Sequence, residues 1–292
     1  MTTGTAATGG NLITEDFSNS LEVNMLAWGG MLANSTVITT STGEDFHLAT
    51  IDDTATVGTI VAESADAHNS GAGGTVPATG RLTLEAYKVS SQMVLVPFEL
   101  LEDNSYNLAG RLGELLGVRL GRKANSYWTV GTGSSQPNGI VTAASVGKTA
   151  AATGAITFDE LLELEHSVDP VHRVNGRYMC NDATVQAIRL LKDGDSRYLF
   201  QSNVTIGRPD TIFGRPLVVN QDMASMAASA KPVVFGDLSK YQIRRVNGVR
   251  FKRFDELYGA NDQVAFEAIM RIDGDLLDAG TDPVKVLQNA AS

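Results

Sequence analysis

The chain has 292 residues, 43% hydrophobic and 19% charged, the composition of a globular protein with a sizeable core. Its formal net charge of -10 argues against a protein whose main work is gripping phosphates through a basic face. One cysteine, Cys180, excludes an intrachain disulfide framework and a cysteine-rich metal site, and no stretch reaches the apolar length of a membrane-spanning helix.

Residues 1–12 are small and rich in Gly, Thr and Ala, and are expected to form a flexible leader. The start has neither the basic nor the apolar segment of a secretory signal. Between Glu15 and Ala33, Leu21, Met25, Trp28 and Leu32 recur at near-helical spacing and predict a short amphipathic helix. The stretches Thr36–Thr42, Phe46–Ile51 and Thr56–Glu63 are rich in Thr, Val and Ile and predict strands. Ala65–Gly80 is small, polar and glycine-rich and reads as a soft loop tip. Arg81–Phe98 predicts one long strand. With the strands before the tip it makes an extended hairpin, too long to be stable without another surface to lie on.

A helical turn over Phe98–Asp103 is followed by a long helix from about Tyr106 to Trp128. On a wheel, Leu108, Leu112, Leu115 and Leu116 fall on one face. Gly110, Gly113, Gly117 and Gly121 fall near the opposite face, and each costs about 1 kcal/mol relative to alanine. The expectation is that the leucines pack on the subunit's own sheet and the bare face admits a neighbour. Gly131–Ile140 is a turn-rich connector. Thr157 with Glu160 makes a capping box for the next helix. Arg177–Asn181 predicts a short strand, and a helix capped by Asn181 or Asp182 is expected to stop at Gly194. Ile212–Met223 is a turn and a buried strand, 231–246 another strand and turn, and two long strands flank Asp255–Asp262. The mixture is α+β without a strict βαβ repeat.

Chemistry is sparse. His47, His68, His166 and His172 form no metal-binding pair of the HExxH kind. Cys180 sits in a short apolar strand, where free cysteines are commonly just buried. Gly131-Thr-Gly133 lacks the third glycine of a dinucleotide fingerprint, and Pro137 breaks the helix that should follow. The aspartates of 193–196 and 272–282 lack calcium-loop spacing and read as solvated turns. The basic run QIRRVNGVRFKRF, 242–254, alternates along a strand and reads as edge charge or subunit salt bridges. No catalytic residue, metal or cofactor is expected, which favours a structural or binding role.

The order of the pieces is distinctive. A small-residue arm, a long hairpin with a soft tip, a long helix, GTGSSQPNGI, a compact α/β section and terminal strands follow one another. With DATVQAIRLLKDGDSRYLF, IFGRPLVVNQDM and VVFGDLSKYQIRR, this resembles the major capsid proteins of tailed phages with the Hong Kong phage, HK-ninety-seven-type, shell fold.

The resemblance implies an α+β capsid fold. Residues 1–41 would be an N-terminal arm and 42–86 an extended loop reaching over a neighbouring subunit. Residues 87–134 and 240–284 would form a peripheral domain with a spine helix over about 106–128. Residues 135–239 would form an axial domain and 285–292 a C-terminal tail. The implied function is self-assembly, as hexamers and pentamers, into an icosahedral shell around double-stranded DNA that is not read by sequence. A portal protein and a scaffolding protein or protease would act during assembly in the bacterial cytoplasm, with no membrane. The residues expected at subunit contacts are Gly110, Gly113, Gly117, Gly121, His68, Arg244, Arg245 and Arg250.

Family precursors often carry a cleaved scaffolding segment. This chain starts on the arm-like stretch, which points to a mature form or a separate scaffold. Some members join a lysine of the extended loop to a neighbour's asparagine. Residues 42–86 hold no lysine and Lys88 lies beyond them, so no such isopeptide bond is expected. An encapsulin-like nanocompartment shell would share the fold. The competing readings from other classes are a soluble hydrolase using Cys180 with His166 or His172, and a decoration or adhesion protein.

Overall fold

The computed structural model describes residues 30–54, 60, 63, 77–102, 108–199 and 211–291. The part of the expected helix within these residues is α1, Gly30–Asn34, which leads into β1, Thr36–Thr40. The hairpin strands are β2, Phe46–Asp52, and β3, Ala78–Leu84. The strand expected over Thr56–Glu63 lies almost wholly outside the described residues, as does most of the soft tip.

Arg81–Phe98 is not one strand. It is divided into the end of β3, then β4, Tyr87–Ser90, then β5, Val94–Pro97, and Phe98 opens helix α2, Phe98–Glu102. The breaks have physical causes. At the first, the Glu85 N–H turns aside to the carboxylate of Asp273. At the second, Gln92 takes a left-handed φ of 63°, and the Ser91 hydroxyl accepts the Ala268 N–H in place of a ladder bond.

Helix α3, Leu108–Val130, runs 23 residues, and the connector after it holds the short α4, Ile140–Ala143. Next come β6, Ser145–Thr149, and α5, Phe158–Ser167. The capping box on α5 is complete: Thr157 Oγ1 accepts from Glu160 N, and Glu160 Oε2 accepts from Thr157 N. Helix α6, Pro170–Arg173, precedes β7, Arg177–Cys180. Helix α7, Asp182–Arg189, is capped by Asn181 and ends at Leu190, short of Gly194. Strands β8, Thr211–Ile212, β9, Arg215–Val219, and β10, Val233–Gly236, lead to the two 14-residue strands β11, Tyr241–Phe254, and β12, Gln263–Leu276. The chain closes with β13, Val284–Gln288.

Two main sheets result. The first has the order β1-β11-β12-β4, with β5 also pairing β12. The second has the order β6-β13-β10-β7-β9-β8. The expected tail from 285 is thus a correction: β13 sits between β6 and β10. Its Val284, Val286 and Leu287 are buried, because Val-Lys-Val-Leu alternation suits an inner strand. The hairpin β2–β3 forms a third, two-stranded sheet.

Helix α3 lies across the first sheet. Leu112, Leu116, Leu120, Ala124 and Trp128 share one core with Val89, Phe266, Ala268, Met270 and Ile272. Its far end is fixed to the second sheet by polar groups. Buried Asn125 accepts the Met31 N–H and donates to Asn220 Oδ1. Asn220 in turn donates to Thr129 Oγ1. Every member of this chain of bonds has a partner, so it fixes the helix without leaving polar groups stranded.

Gly274 marks the tightest point between helix and sheet. A Cβ there would sit 2.7 Å from the Tyr241 hydroxyl and 2.9 Å from Trp128 Cδ1. Gly274→Ala is therefore expected to destabilise the subunit by about 1–3 kcal/mol, read as a lowered midpoint in denaturant unfolding.

Candidate assembly site

The basic run of β11 divides by burial. Its first half, through Val246, is largely inside, and its second half, beyond the irregularity at Asn247–Gly248, mixes exposed Arg250, Lys252 and Arg253 with half-buried Val249, Phe251 and Phe254. Arg244 belongs to the buried half, at 1% exposure. A buried guanidinium has five N–H donors to satisfy. All five are used. Nε donates to Thr40 Oγ1, Nη1 to the carbonyls of Leu84 and Glu85, and Nη2 to those of Thr42 and Glu44. The four carbonyls come from the two chain segments that enter and leave the hairpin. Arg244 thus clamps the root of the hairpin onto the first sheet, with the Phe46 ring 5.9 Å away.

Asp273 faces Arg244 across the ladder and holds the same root from the other side. Its carboxylate accepts the Glu85 N–H and its neighbour's Gly274 N–H. Burial pushes its pKa up to about 6, opposed by those two N–H donors and reinforced by the carboxylates of Asp275 and Glu85. Asp275 is raised in the same direction, chiefly by burial, while Leu276 N and Asn138 Nδ2 donate to it. The stretch Ile272–Leu276 is therefore no solvated turn. It continues the strand, with Ile272, Gly274 and Leu276 on the core side.

Beyond its root, the hairpin is largely exposed. Its seven paired positions run from Phe46↔Leu84 to Asp52↔Ala78. Leu84, next to the clamp, is the only buried residue of the two strands, and Ile51 is 64% exposed.

The sequence-derived contact residues scatter. Arg244 is interior to its own subunit, which corrects its expected place at a subunit contact: its charge is consumed by carbonyls of its own chain. Arg245 is half-buried and Arg250 exposed. His68 lies outside the described residues. The helical wheel also needs correcting. Gly113, Gly117 and Gly121 are buried within the single subunit, beside Leu112, Leu116 and Leu120, whereas Leu115 is 44% exposed. The core-facing side is centred between the two stripes rather than on the leucines. For Gly110, the backbone is helical. Sequence reasoning missed Asp273, Asn125 and Asn220. For Asp273 the signal was present, since the period-two alternation from Val264 runs unbroken through Leu276.

The hydrolase reading finds no support in the geometry. Cys180 is fully buried, and burial pushes its thiol up to about 12, away from the reactive thiolate. The ring nitrogens seen bonding point elsewhere, His166 Nδ1 to Arg173 and His172 Nε2 to Thr281.

Similarity to known proteins agrees with the architecture. The model of the phage capsid family matches residues 9–289. The chain belongs to the phage capsid family. It is a shell-forming major capsid protein, a structural component of the virion rather than an enzyme, and it works as a homo-oligomer. Among solved structures, the capsid of an empty GTA particle is similar, with a TM-score of 0.76, 23% identity and 90% of each chain covered. The capsid of the native GTA particle has a TM-score of 0.76 and 22% identity over 100% of both chains. A structure from Mycobacterium phage Adephagia has a TM-score of 0.66 and 18% identity, over 99% of this chain and 98% of that one. At these identities they share the fold. No curated protein sequence matches the chain.

In this capsid protein the clamp makes two measurable predictions. Arg244→Lys offers three donors without the fork, so carbonyls at the hairpin root lose partners; the subunit is expected to lose about 2–4 kcal/mol in denaturant unfolding. Asp273 binds its proton more tightly in the fold than in the unfolded chain. Its contribution is thus favourable at low pH and is lost as pH rises through about 6. The stability difference between the native chain and Asp273→Asn should move in favour of the native chain as pH falls from about 7 to about 4, measured by unfolding at each pH.

Proposed function

We propose that the subunit assembles as hexamers and pentamers into an icosahedral shell around the double-stranded DNA of a tailed phage. Assembly takes place in the host bacterial cytoplasm, with a portal protein and a scaffolding protein or protease taking part. In this reading residues 42–86 reach over a neighbouring subunit. Residues 87–134 and 240–284 make the peripheral domain, and 135–239 the axial domain around the ring centres. Arg245, Arg250 and His68 lie at subunit contacts. The stripe Gly110, Gly113, Gly117 and Gly121 serves assembly by letting the helix bend, since glycine lowers the cost of distortion.

The observation that carries this reading is the exposed two-stranded hairpin fixed rigidly at its root. A two-stranded sheet is marginal by itself and gains stability from a surface laid against it. Its root is built for a defined direction, so the missing surface belongs to another copy. The similar GTA capsids were computed with C5 symmetry, which supports fivefold rings. The acidic chain suits a container that must not bind its own genome to the wall.

Electron microscopy of particles made by the expressed chain tests this directly. Closed shells of tens of nanometres are expected, and a denaturing gel of them should show a single chain, since 42–86 hold no lysine for a covalent link. A monomer in every buffer would contradict the proposal, and a ladder of covalent rings would contradict the absence of cross-links.

A further inference from the structure

The sequence contains three Asn-Gly pairs, Asn138–Gly139, Asn175–Gly176 and Asn247–Gly248. Asparagine before glycine is prone to lose its side-chain amide, because the next backbone nitrogen can attack the side-chain carbonyl and glycine puts no Cβ in the way. Closing the resulting ring turns the peptide between the two residues, so the fold decides which pair can react. Gly139 is locked. Its N–H donates to the Gly131 carbonyl, and a Cβ there would lie 2.4 Å from Gly131 N. The Asn138 amide is held as well, by donating to Asp275. The Gly176 N–H donates to the Arg173 carbonyl, and the residue is buried against Phe235.

Asn247–Gly248 is placed differently. The pair forms the irregularity of β11, where the ladder passes from Val246↔Arg271 to Val249↔Met270 and gives neither residue a partner on β12. On the other side, β1 ends its pairing at Val246. Both residues have left-handed φ, 54° and 67°, and a Cβ on Gly248 would meet open space. Asn247 is exposed, and its Nδ2 donates to the Ser41 carbonyl, a surface bond that restrains it little. Gly248 also lines a shallow groove with Lys88, Arg250, Lys252 and Arg271. Among the described residues no ion pair engages these four cations. A backbone nitrogen attacks as its anion, and the carbonyl it attacks becomes an oxyanion. Fixed cations beside them stabilise both.

We propose that Asn247–Gly248 is a site of spontaneous deamidation, and that its conversion releases the entry segment of the hairpin from β11. Gly248 N bonds to Asn247 Cγ, its proton passes to water, and the Cγ–Nδ2 bond breaks to release ammonia. Water then opens the succinimide. Opening at the side-chain carbonyl gives aspartate, and opening at the main-chain carbonyl gives isoaspartate. Both products lose the Nδ2 donor. In aspartate the new carboxylate only accepts, and it faces the Ser41 carbonyl, another acceptor. Isoaspartate routes the main chain through the side-chain carbon and lengthens the bulge by one carbon. Ser41 precedes Thr42, whose carbonyl belongs to the Arg244 clamp, so conversion removes one hold on this segment and leaves the clamp. The reaction needs only water and runs one way. It dates a subunit: a young chain has both holds, and an aged one has the clamp.

Peptide mapping by mass spectrometry tests it on the full chain. Folded subunits are held in mildly alkaline buffer made with heavy-oxygen water, beside a sample kept in denaturant. In denaturant all three pairs should convert at similar rates. In the folded subunit Asn247 should convert first, roughly tenfold or more faster than Asn138, into aspartate and isoaspartate that each carry one heavy oxygen. Arg250→Gln with Lys252→Gln should slow Asn247 several-fold in the folded subunit and leave its rate in denaturant unchanged. Asn247→Asp, which makes one product directly, should speed amide exchange over residues 41–45 several-fold. No conversion of Asn247 in the folded subunit, or earlier conversion of Asn138 or Asn175, would overturn the site. An unchanged rate in the glutamine variant would overturn the part assigned to the cations, and unchanged exchange in Asn247→Asp would overturn the release of the hairpin.

Discussion

Everything distinctive about this subunit's outline depends on the burial of one guanidinium. Among the described residues Arg244 has no carboxylate at bonding distance, which would be costly for a buried charge with unmet donors. It is tolerated because five oxygens, four of them backbone carbonyls, are arranged around it. Without it the buried Leu84 carbonyl would lose its partner, and the two segments would lose their common tie. The two segments at the root of the hairpin cannot pair with each other as a strand ladder, since they must turn out of one sheet into another. Arg244 replaces the ladder that the turn gives up. Lysine could supply the charge but not the planar fork that reaches both segments at once.

The rest of the fold gives that clamp a rigid base. β11 carries Arg244 and β12 carries Asp273, and the two strands pair along their full length apart from one irregularity. Helix α3 backs them, with Trp128 over Gly274, one residue from Asp273. The Trp128 indole N–H donates to the Asp273 carbonyl at 3.3 Å. The asparagine network then ties the same helix to the second sheet. A push on the hairpin root is therefore felt by the helix and by both sheets. This is the mechanical property a shell subunit needs: a projecting element whose direction is defined by the whole body rather than by a flexible stem.

Much of this was legible in the sequence, for identifiable reasons. The capping box at Thr157–Glu160, the long helix and the paired strands around Asp255–Asp262 follow from local pattern, and the structure has them. The resemblance to tailed-phage capsid proteins rested on the order of the pieces, and family membership agrees. What failed were inferences in which tertiary context decides. Arg81–Phe98 has continuous strand character, but Asp273 and Ala268, distant in sequence, divide it. The residues after 284 look like a tail only because their partners, β6 and β10, lie far back in the chain. Arg244 and Arg245 are adjacent and chemically alike. Nothing local says that one is swallowed by carbonyls while its neighbour stays half-exposed. The glycine stripe of α3 was assigned by contrast with the leucines, although small residues also pack inward, and the wheel alone gives no sign of which arc faces the sheet.

The central claim is that the hairpin has a firmly held root and strands that lack a covering surface until subunits meet. Residue-resolved hydrogen exchange, compared between free subunits and assembled shells, addresses it most directly. Amides donated within the root, such as that of Glu85, should be protected in both states, while the paired amides of Phe46–Asp52 and Ala78–Leu84 should exchange roughly tenfold or more slowly in the shell than in the free subunit. Equal exchange of these strands in both states, or a root that exchanges as fast as the strands it carries, would contradict the account.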